Sequence, residues 1–380
     1  TEDMCLAFEK SKADERKEWL LGDYEPLKKK QKVTYSEFVH QELIQFSHAD
    51  NSRSIPHLMD GFKPSQRKVL YSLFKKNTKE ELKVARFSGY VSEQTAYHHG
   101  EVSLQGTIIN MAQTFVGSNN INLLEPCGQF GTRIQGGKDA ASPRYISTKL
   151  SPTTKTLFPE ADQSILKYLN DDGQDIEPEY YAPIIPMILV NGCDGIGTGW
   201  SSKVPCYNPK DVIDNVKRYN NGLELVKMTP WYRSFKGSIE PSEKPGSFET
   251  RGIWTFKSET YCDRLIVTEL PIGRWTQDFK ELVEAYRDGT HTNKKAQAVK
   301  VNAYDNHSTE EAVMFEIQLK RGCVKMEEIP TLFKLTSIIN TSNMHLFDEK
   351  GKIRKYDSPE SILENWCKAR SVLYEQRREH

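Results

Sequence analysis

Of the 17 tyrosines in the 380-residue chain, Tyr145 has the neighbours that could turn a phenol into a nucleophile. It directly follows Arg144 in the stretch from Cys127 to Thr148, CGQFGTRIQGGKDAASPRYIST, where Gly128, Gly131, Gly136 and Gly137 permit close backbone approach. A phenol with an ordinary pKa of about 10 is almost wholly protonated at neutral pH, so attack on phosphorus needs a base or a group that stabilises the phenolate. Arg144 can supply that stabilisation. Its fixed charge and planar fork can also hold the non-bridging oxygens of a phosphodiester while negative charge builds. An Arg-Tyr pair on its own is more often packing than catalysis, so its weight depends on what surrounds it.

Lys63 stands just before Pro64, where a helix is expected to bury Val69, Leu70, Leu73 and Phe74. Arg67, Lys68, Lys75 and Lys76 make that helix basic as well as amphipathic, and its free first-turn N–H groups suit a phosphate. A further helix is expected from about Glu101 to Val116, burying Leu104, Ile108, Met111 and Phe115. Its second stripe, Ser103, Thr107, Asn110 and Thr114, is small, polar and uncharged. Such a stripe fits a helix pressed into a nucleic-acid groove, or an ordinary solvated face. His98 and His99 are adjacent and should face different ways, so at most one reaches any site. Arg53 lies in a polar loop whose default role is on the surface.

The glycines of the run Gly192 to Gly199 fall at 192, 195, 197 and 199, after an apolar stretch expected to be a strand. That spacing does not spell the dinucleotide fingerprint, and Pro205 precedes the next helix, near Pro209, so a nucleotide-cofactor enzyme is improbable. Lys227, Trp231, Tyr232, Arg233, Phe235 and Lys236 interleave bases and aromatics, which suits flanking DNA or a strand edge equally. Asp171, Asp172, Asp175, Glu177 and Glu179 form the densest acidic cluster, expected to be a solvated turn and not a magnesium site.

Lys plus Arg equal Asp plus Glu at 52 each, so net charge says nothing about a partner. Distribution says more: Asn51 to Leu150 holds 13 Lys/Arg against 7 Asp/Glu, and Ser151 to Val190 holds 2 against 7. A local basic face is what nucleic-acid binding requires. Seven scattered cysteines with no C-x-x-C pair argue against zinc or a disulfide framework and for a reducing compartment. The longest apolar run, Ala182 to Val190, is far short of the roughly 20 residues of a spanning helix, so no membrane is expected as a partner. The start, TEDMCLAFEK, carries no secretory pattern.

Residues 1–45, with the charged run Lys28-Lys29-Lys30, read as the linker or tail of a preceding domain. Thr34 and Glu37 make a capping box for a helix expected to bury Phe38, Leu43 and Phe46. Beyond about residue 186 short alternating strands appear, such as Val313, Phe315, Ile317 and Leu319, with helices near Asp211 and Phe279. Ile362, Trp366, Ala369 and Leu373 then form a heptad seam after a helix start at Ser358 and Pro359. The fold class is therefore a multidomain α+β arrangement.

Four motifs carry a resemblance: Ala141-Ser142-Pro143-Arg144-Tyr145, NSRSIPHLMDGFKPSQRKVLY at Asn51 to Tyr71, YHHGE at Tyr97 to Glu101 and NGCDGIGTGW at Asn191 to Trp200. In order and spacing they resemble the DNA breakage-and-reunion region of eukaryotic DNA topoisomerase II, with spelling closer to a eukaryotic, fungal enzyme than to bacterial gyrase, over essentially the whole chain. The resemblance implies a winged-helix domain at 46–185 and an α/β tower at 186–340. It also implies the start of a coiled-coil arm at 341–380 and reads 1–45 as the tail of a metal-binding domain. It makes Tyr145 the nucleophile that forms a 5′-phosphotyrosyl bond with double-stranded DNA. Arg144, His99, Arg53 and Lys63 would surround the scissile phosphate, and Ile196 would wedge between base pairs. Arg67, Lys68, Ser103 and Thr107 are expected DNA contacts. Further implications are a nuclear homodimer, Mg2+ held by a domain outside this chain, and ATP used by the full-length enzyme, so that the fragment alone cleaves poorly or not at all. The rival is a non-enzymatic DNA-binding scaffold in which Tyr145 is structural.

Overall fold

The computed structural model describes residues 2–28, 32–291 and 296–380. Lys29 and Lys30 of the basic run lie outside the described residues. The N-terminal segment expected to be a tail forms helices Glu2–Phe8 and Ala13–Leu21. They dock through Trp19, whose Nε1 donates to His40 Nδ1 at 2.9 Å, and through the Asp3–His40 pair at 3.0 Å.

The Thr34 capping box forms as expected, with Glu37 N donating to Thr34 Oγ1 and Thr34 N to Glu37 Oε2. The face that helix buries is shifted, however. Val39, Ile44 and Ser47 are buried, whereas Phe38 and Phe46 are 43% and 61% exposed. The cause is a π-helical segment, Phe38–Leu43, whose wider turns rotate the following helix α1 (Ile44–Ser54) by about one residue.

The first body is built on α2 (Pro64–Lys76), β1 (Leu82–Lys83), α3 (Val84–Thr95), α4 (Glu101–Ala112), β2 (Leu124–Cys127) and β3 (Ser147–Leu150). Its strands form an antiparallel sheet in the order β1-β3-β2, with Leu82 opposite Thr148 and Leu124 opposite Leu150. Val69, Leu70 and Leu73 of α2 meet Val84, Phe87 and Val91 of α3 and Leu104, Ile108 and Met111 of α4 in one core. Two hairpins flank it: β4 (Tyr168–Asp171) with β5 (Gln174–Pro178), and β6 (Cys193–Ile196) with β7 (Ser201–Val204). The apolar stretch expected to be a strand is instead the short helix Met187–Asn191, with Pro186 as its N-cap residue.

This core draws in residues on both sides of the expected boundary at 185, including Val212 of α5 (Pro209–Asn220) and Met344, Leu346 and Tyr356 of a later hairpin. The second body has its own core. It holds the sheet β10-β11-β13-β12, made of β10 (Ile253–Ser258), β11 (Cys262–Glu269), β12 (Val301–Asn306) and β13 (Phe315–Lys320), beneath α6 (Thr276–Arg287). Beside it β9 (Ser247–Arg251) is the central strand of an antiparallel sheet, flanked by β8 (Ser238–Pro241) and β14 (Thr336–Asn340). Val313, Phe315, Ile317 and Leu319 are all buried in the second core, as their alternation predicts.

The chain returns to the first body with the hairpin β15 (Met344–Phe347) and β16 (Ile353–Tyr356) and helix α7 (Pro359–Glu379). The seam expected to await a coiled-coil partner is covered by the chain itself as far as Leu373. Ile362, Trp366 and Leu373 are buried, and Trp366 Nε1 donates to Met59 O at 2.9 Å. Among the described residues all seven cysteines are free, and no helix is long and apolar enough to cross a membrane.

Candidate active site and nucleic-acid interface

Tyr145 closes the turn that delivers the chain into β3, with its N–H donating to Ser142 O at 2.9 Å. The backbone there is clamped. Ala85 N donates to Pro143 O and Val84 N to Ile146 O, each at 3.1 Å, so the turn caps first-turn amides of α3 that no helical carbonyl can reach. Lys83 Nζ donates to Tyr145 O at 3.1 Å, and Ile146 is buried beside it. The Tyr145 side chain is nonetheless 77% exposed, and Arg144 is exposed next to it. A rigid main chain under a free phenol and a free guanidinium is the arrangement a nucleophile and its charge partner require.

A second group gathers where α1 ends. Arg53, expected in a loop, lies in the last turn of α1 and pairs with Asp50 at 2.8 Å, and Asp50 Oδ2 accepts from Thr198 Oγ1 at 2.9 Å. Asn51 Nδ2 donates to Thr198 O at 3.0 Å, and Lys63 Nζ to Asp194 O at 2.8 Å. These bonds press the β6–β7 hairpin onto α1. A Cβ on Gly195 would lie 2.1 Å from Ser54 O, and one on Gly197 2.2 Å from Asn51 Oδ1. The two glycines are therefore required by contact with α1, and between them Ile196 stands 79% exposed. Asp50 and Asn51 escaped the sequence reading; the available signal was Asp50 three residues before Arg53, one helical turn apart.

The polar stripe borders this group. Ser103 and Asn110 of α4 are exposed, while Thr107 is half-buried with its hydroxyl donating to Ser103 O at 3.1 Å and lying 3.5 Å from Ser65 Oγ in the first turn of α2. Thr114 falls beyond the helix, which ends at Ala112, and its carbonyl accepts from Arg233 at 3.3 Å. His99, exposed beside the N-terminus of α4, packs edge-on to Tyr97 at 5.4 Å. His98 turns the other way, 3.8 Å from Asp171 of the β4–β5 hairpin.

Arg67 and Lys68 do not meet the expectation of DNA contact. Arg67 is buried, donating to Asp60 at 2.8 and 3.1 Å and to Phe62 O at 3.2 Å. Lys68 is held by Thr95 O at 2.6 Å and by Glu177 at 2.9 Å. Packing encloses both side chains, and a charge placed there persists only when paired. Glu177, expected in a solvated turn, is instead a buried partner on β5. Among the described residues no group of three or more His, Cys, Asp or Glu side chains could hold a metal ion.

Residues 53–380 match the family model for the A-subunit of DNA gyrase/topoisomerase IV, and residues 1–51 match the C-terminal associated domain of TOPRIM. DNA topoisomerase 2 of Plasmodium falciparum (isolate K1 / Thailand) is 51% identical over 383 residues, covering 99% of this chain and 27% of the relative. DNA topoisomerase 2 of Arabidopsis thaliana is 51% identical over 385 residues, 98% of this chain and 25% of the relative. DNA topoisomerase 2-beta of Homo sapiens is 44% identical over 395 residues, 99% of this chain and 24% of the relative. The crystal structure of the Plasmodium falciparum topoisomerase II DNA-binding, cleavage and re-ligation domain superposes with a TM-score of 0.89 at 50% identity, covering 100% of this chain and 51% of that one. The chain spans about a quarter of the length of the curated relatives it matches.

Proposed function

Because the chain belongs to the DNA gyrase/topoisomerase IV A-subunit family, we propose that it is the DNA-binding, cleavage and re-ligation part of a eukaryotic type IIA DNA topoisomerase. The observation that carries the reading is the exposed Tyr145 hydroxyl on a clamped turn, with the exposed Arg144 directly before it.

In the proposed reaction the Tyr145 phenolic oxygen attacks a backbone phosphorus. The new Tyr–O–P bond forms as the bond from phosphorus to the 3′ oxygen breaks. The phenolic proton passes to a base or to water, and the departing 3′ oxygen takes up a proton. One phosphodiester replaces another, so the 3′-hydroxyl can reverse the step without outside energy. Arg144 stabilises the charge that builds on the non-bridging oxygens, and Lys63, Arg53 and His99 are the remaining polar groups proposed around that phosphate.

The first body supports a winged-helix reading: a helix, a short strand, two helices and two strands, with the first strand pairing the last. In that reading α4 faces the duplex with Ser103, Thr107 and Asn110. Ile196, held out on a pinned hairpin, is proposed to enter a base step and let the duplex bend, so that deformability contributes to site choice. The second body is read as the tower, and α7 as the root of a coiled-coil arm. Two copies are proposed to cut opposite strands of one duplex, pass a second duplex, and reseal, in the nucleus. The fungal origin rests on motif spelling alone. Mg2+ and ATP are ascribed to other parts of a full-length protein.

The test incubates full-length protein with DNA and magnesium, traps products in detergent, and compares the parent with Tyr145→Phe. DNA ends covalently attached to the parent and absent from the variant, at unchanged DNA affinity, are expected. Ends still attached to Tyr145→Phe would make the nucleophile another residue.

A further inference from the structure

The loop that leads to Tyr145 is bolted to the second body. Arg133, 5% exposed, pairs bidentately with Glu269, 1% exposed, at the end of β11. Glu269 is itself fixed, accepting from Leu270 N at 2.9 Å and Lys236 N at 3.3 Å. The main chain of the same loop caps α6, with Thr276 N donating to Arg133 O at 3.3 Å and Gln277 N to Ile134 O at 2.9 Å. Trp275, just before that helix, lies over Gly136 so closely that a Cβ there would fall 2.2 Å from its Cε2, and it meets Phe115 edge-on at 5.7 Å.

From this anchor the loop has little freedom on the way to the nucleophile. Gly137 N returns to Thr132 O at 2.9 Å, and Asp139 accepts from Thr132 N at 2.9 Å. A Cβ on Gly131 would lie 2.5 Å from Gly137 O. Ala141 N donates to Gln129 O at 2.9 Å, four residues before Tyr145, while the Gln129 side chain reaches Glu310 of the second body at 3.0 Å. Gly128 lies against Ile146, the residue after the tyrosine, where a Cβ would come 2.9 Å from Ile146 Cγ2.

We propose that Glu269, acting through Arg133, is a positioning residue for Tyr145, so that the seating of the second body on the 128–141 loop sets the rate of strand cleavage. The inference rests on the reading of Tyr145 as the nucleophile. Neither Glu269 nor Arg133 is exposed, so neither touches DNA, and their effect passes through the loop. A displacement of about 1 Å at a reacting atom costs roughly 100-fold in rate.

The experiment measures, on full-length protein with magnesium, the single-turnover rate of covalent capture of a duplex that cannot be resealed, together with DNA affinity by anisotropy. Glu269→Gln keeps the shape of the side chain while weakening its hold on Arg133. It is expected to slow capture by roughly 10- to 100-fold and to leave affinity unchanged. Arg133→Lys keeps the charge without the fork and is expected to give a smaller loss in the same parameter. Capture by folded Glu269→Gln at the parent rate overturns the inference while leaving the nucleophile in place, as does a fall in affinity that accounts for the whole loss. Absence of a Tyr145 adduct in the unaltered protein overturns both.

Discussion

Lys63 donates its ammonium to the main-chain carbonyl of Asp194 at 2.8 Å, which ties the residue before α2 to the strand that ends in Ile196. A carbonyl is a neutral acceptor, so the lysine stays a net positive charge at the surface, while the Asp194 carboxylate faces Lys203 at 3.7 Å. One side chain thus both braces the hairpin and offers charge to a phosphate.

Lys63→Met therefore removes two things at once. The slope of log affinity against log salt should fall by about 0.9, the value for one phosphate contact. The duplex bend, read by energy transfer between dyes at its ends, should also shrink because the hairpin loses its brace. A salt slope equal to the parent's would take Lys63 away from the phosphate.

Ile196→Ala separates the wedge from the fold. The side chain is 79% exposed, so stability should change by no more than about 0.5 kcal/mol. The bend should drop in the energy-transfer measurement. Gly195→Ala is the opposite case: its Cβ would lie 2.1 Å from Ser54 O, a main-chain atom that cannot swing aside, so the hairpin must lift from α1. A loss of about 1–3 kcal/mol in denaturant unfolding is expected.

The two glycine positions also mark what a sequence can convey. Their spacing argued against a dinucleotide fingerprint, and the motif around them pointed to Ile196, yet nothing in one sequence told what they abut. That depends on α1, which the Asn51–Thr198 bond reaches across 147 positions. Periodicity exposed α2, α4 and β13 because each buries a regular stripe. It failed at Phe38 and Phe46 because a π-helical segment changes the repeat inside what reads as one helix. Arg67 and Lys68 were misread for a related reason: buried and solvated cations are spelled alike, and their partners, Asp60 and Glu177, declare themselves only in three dimensions. The Tyr145 motif is contiguous in the chain, whereas the Arg133–Glu269 anchor of its loop joins residues 136 positions apart.

Burial of Arg67 makes a prediction opposite to that of a DNA contact. Asp60 accepts from Arg67 and also from Phe62 N at 3.0 Å and Tyr181 N at 2.8 Å, so Arg67→Ala strands a carboxylate in the core. Stability should fall by about 3–5 kcal/mol, measured by urea unfolding. Lys68→Met, which replaces a charge buried beside Glu177, should leave the salt dependence of DNA binding at the parent value. A slope reduced by about one would return Lys68 to the interface.

His57 gives the fold an acid-sensitive point in the same region. Its ring stacks on Tyr180 at 4.7 Å and its Nδ1 accepts from Met59 N at 3.1 Å, in a cleft between α1 and the two hairpins β4–β5 and β15–β16. Burial, the largest influence, pushes its pKa down from 6.5 to about 4, with the Arg67 guanidinium acting in the same direction and Asp60 against it. Between those two values the unfolded chain binds a proton that the folded chain refuses. Stability from this site is therefore complete above pH 6.5, declines as the pH falls towards 4, and is gone below it. Urea unfolding at pH 7 and pH 5 should show the parent losing stability across that interval. In His57→Gln, which keeps an acceptor near Met59 N but cannot titrate, the loss should be smaller. Equal losses in the two proteins would mean that His57 is protonated in the folded state and that the cleft is open to water.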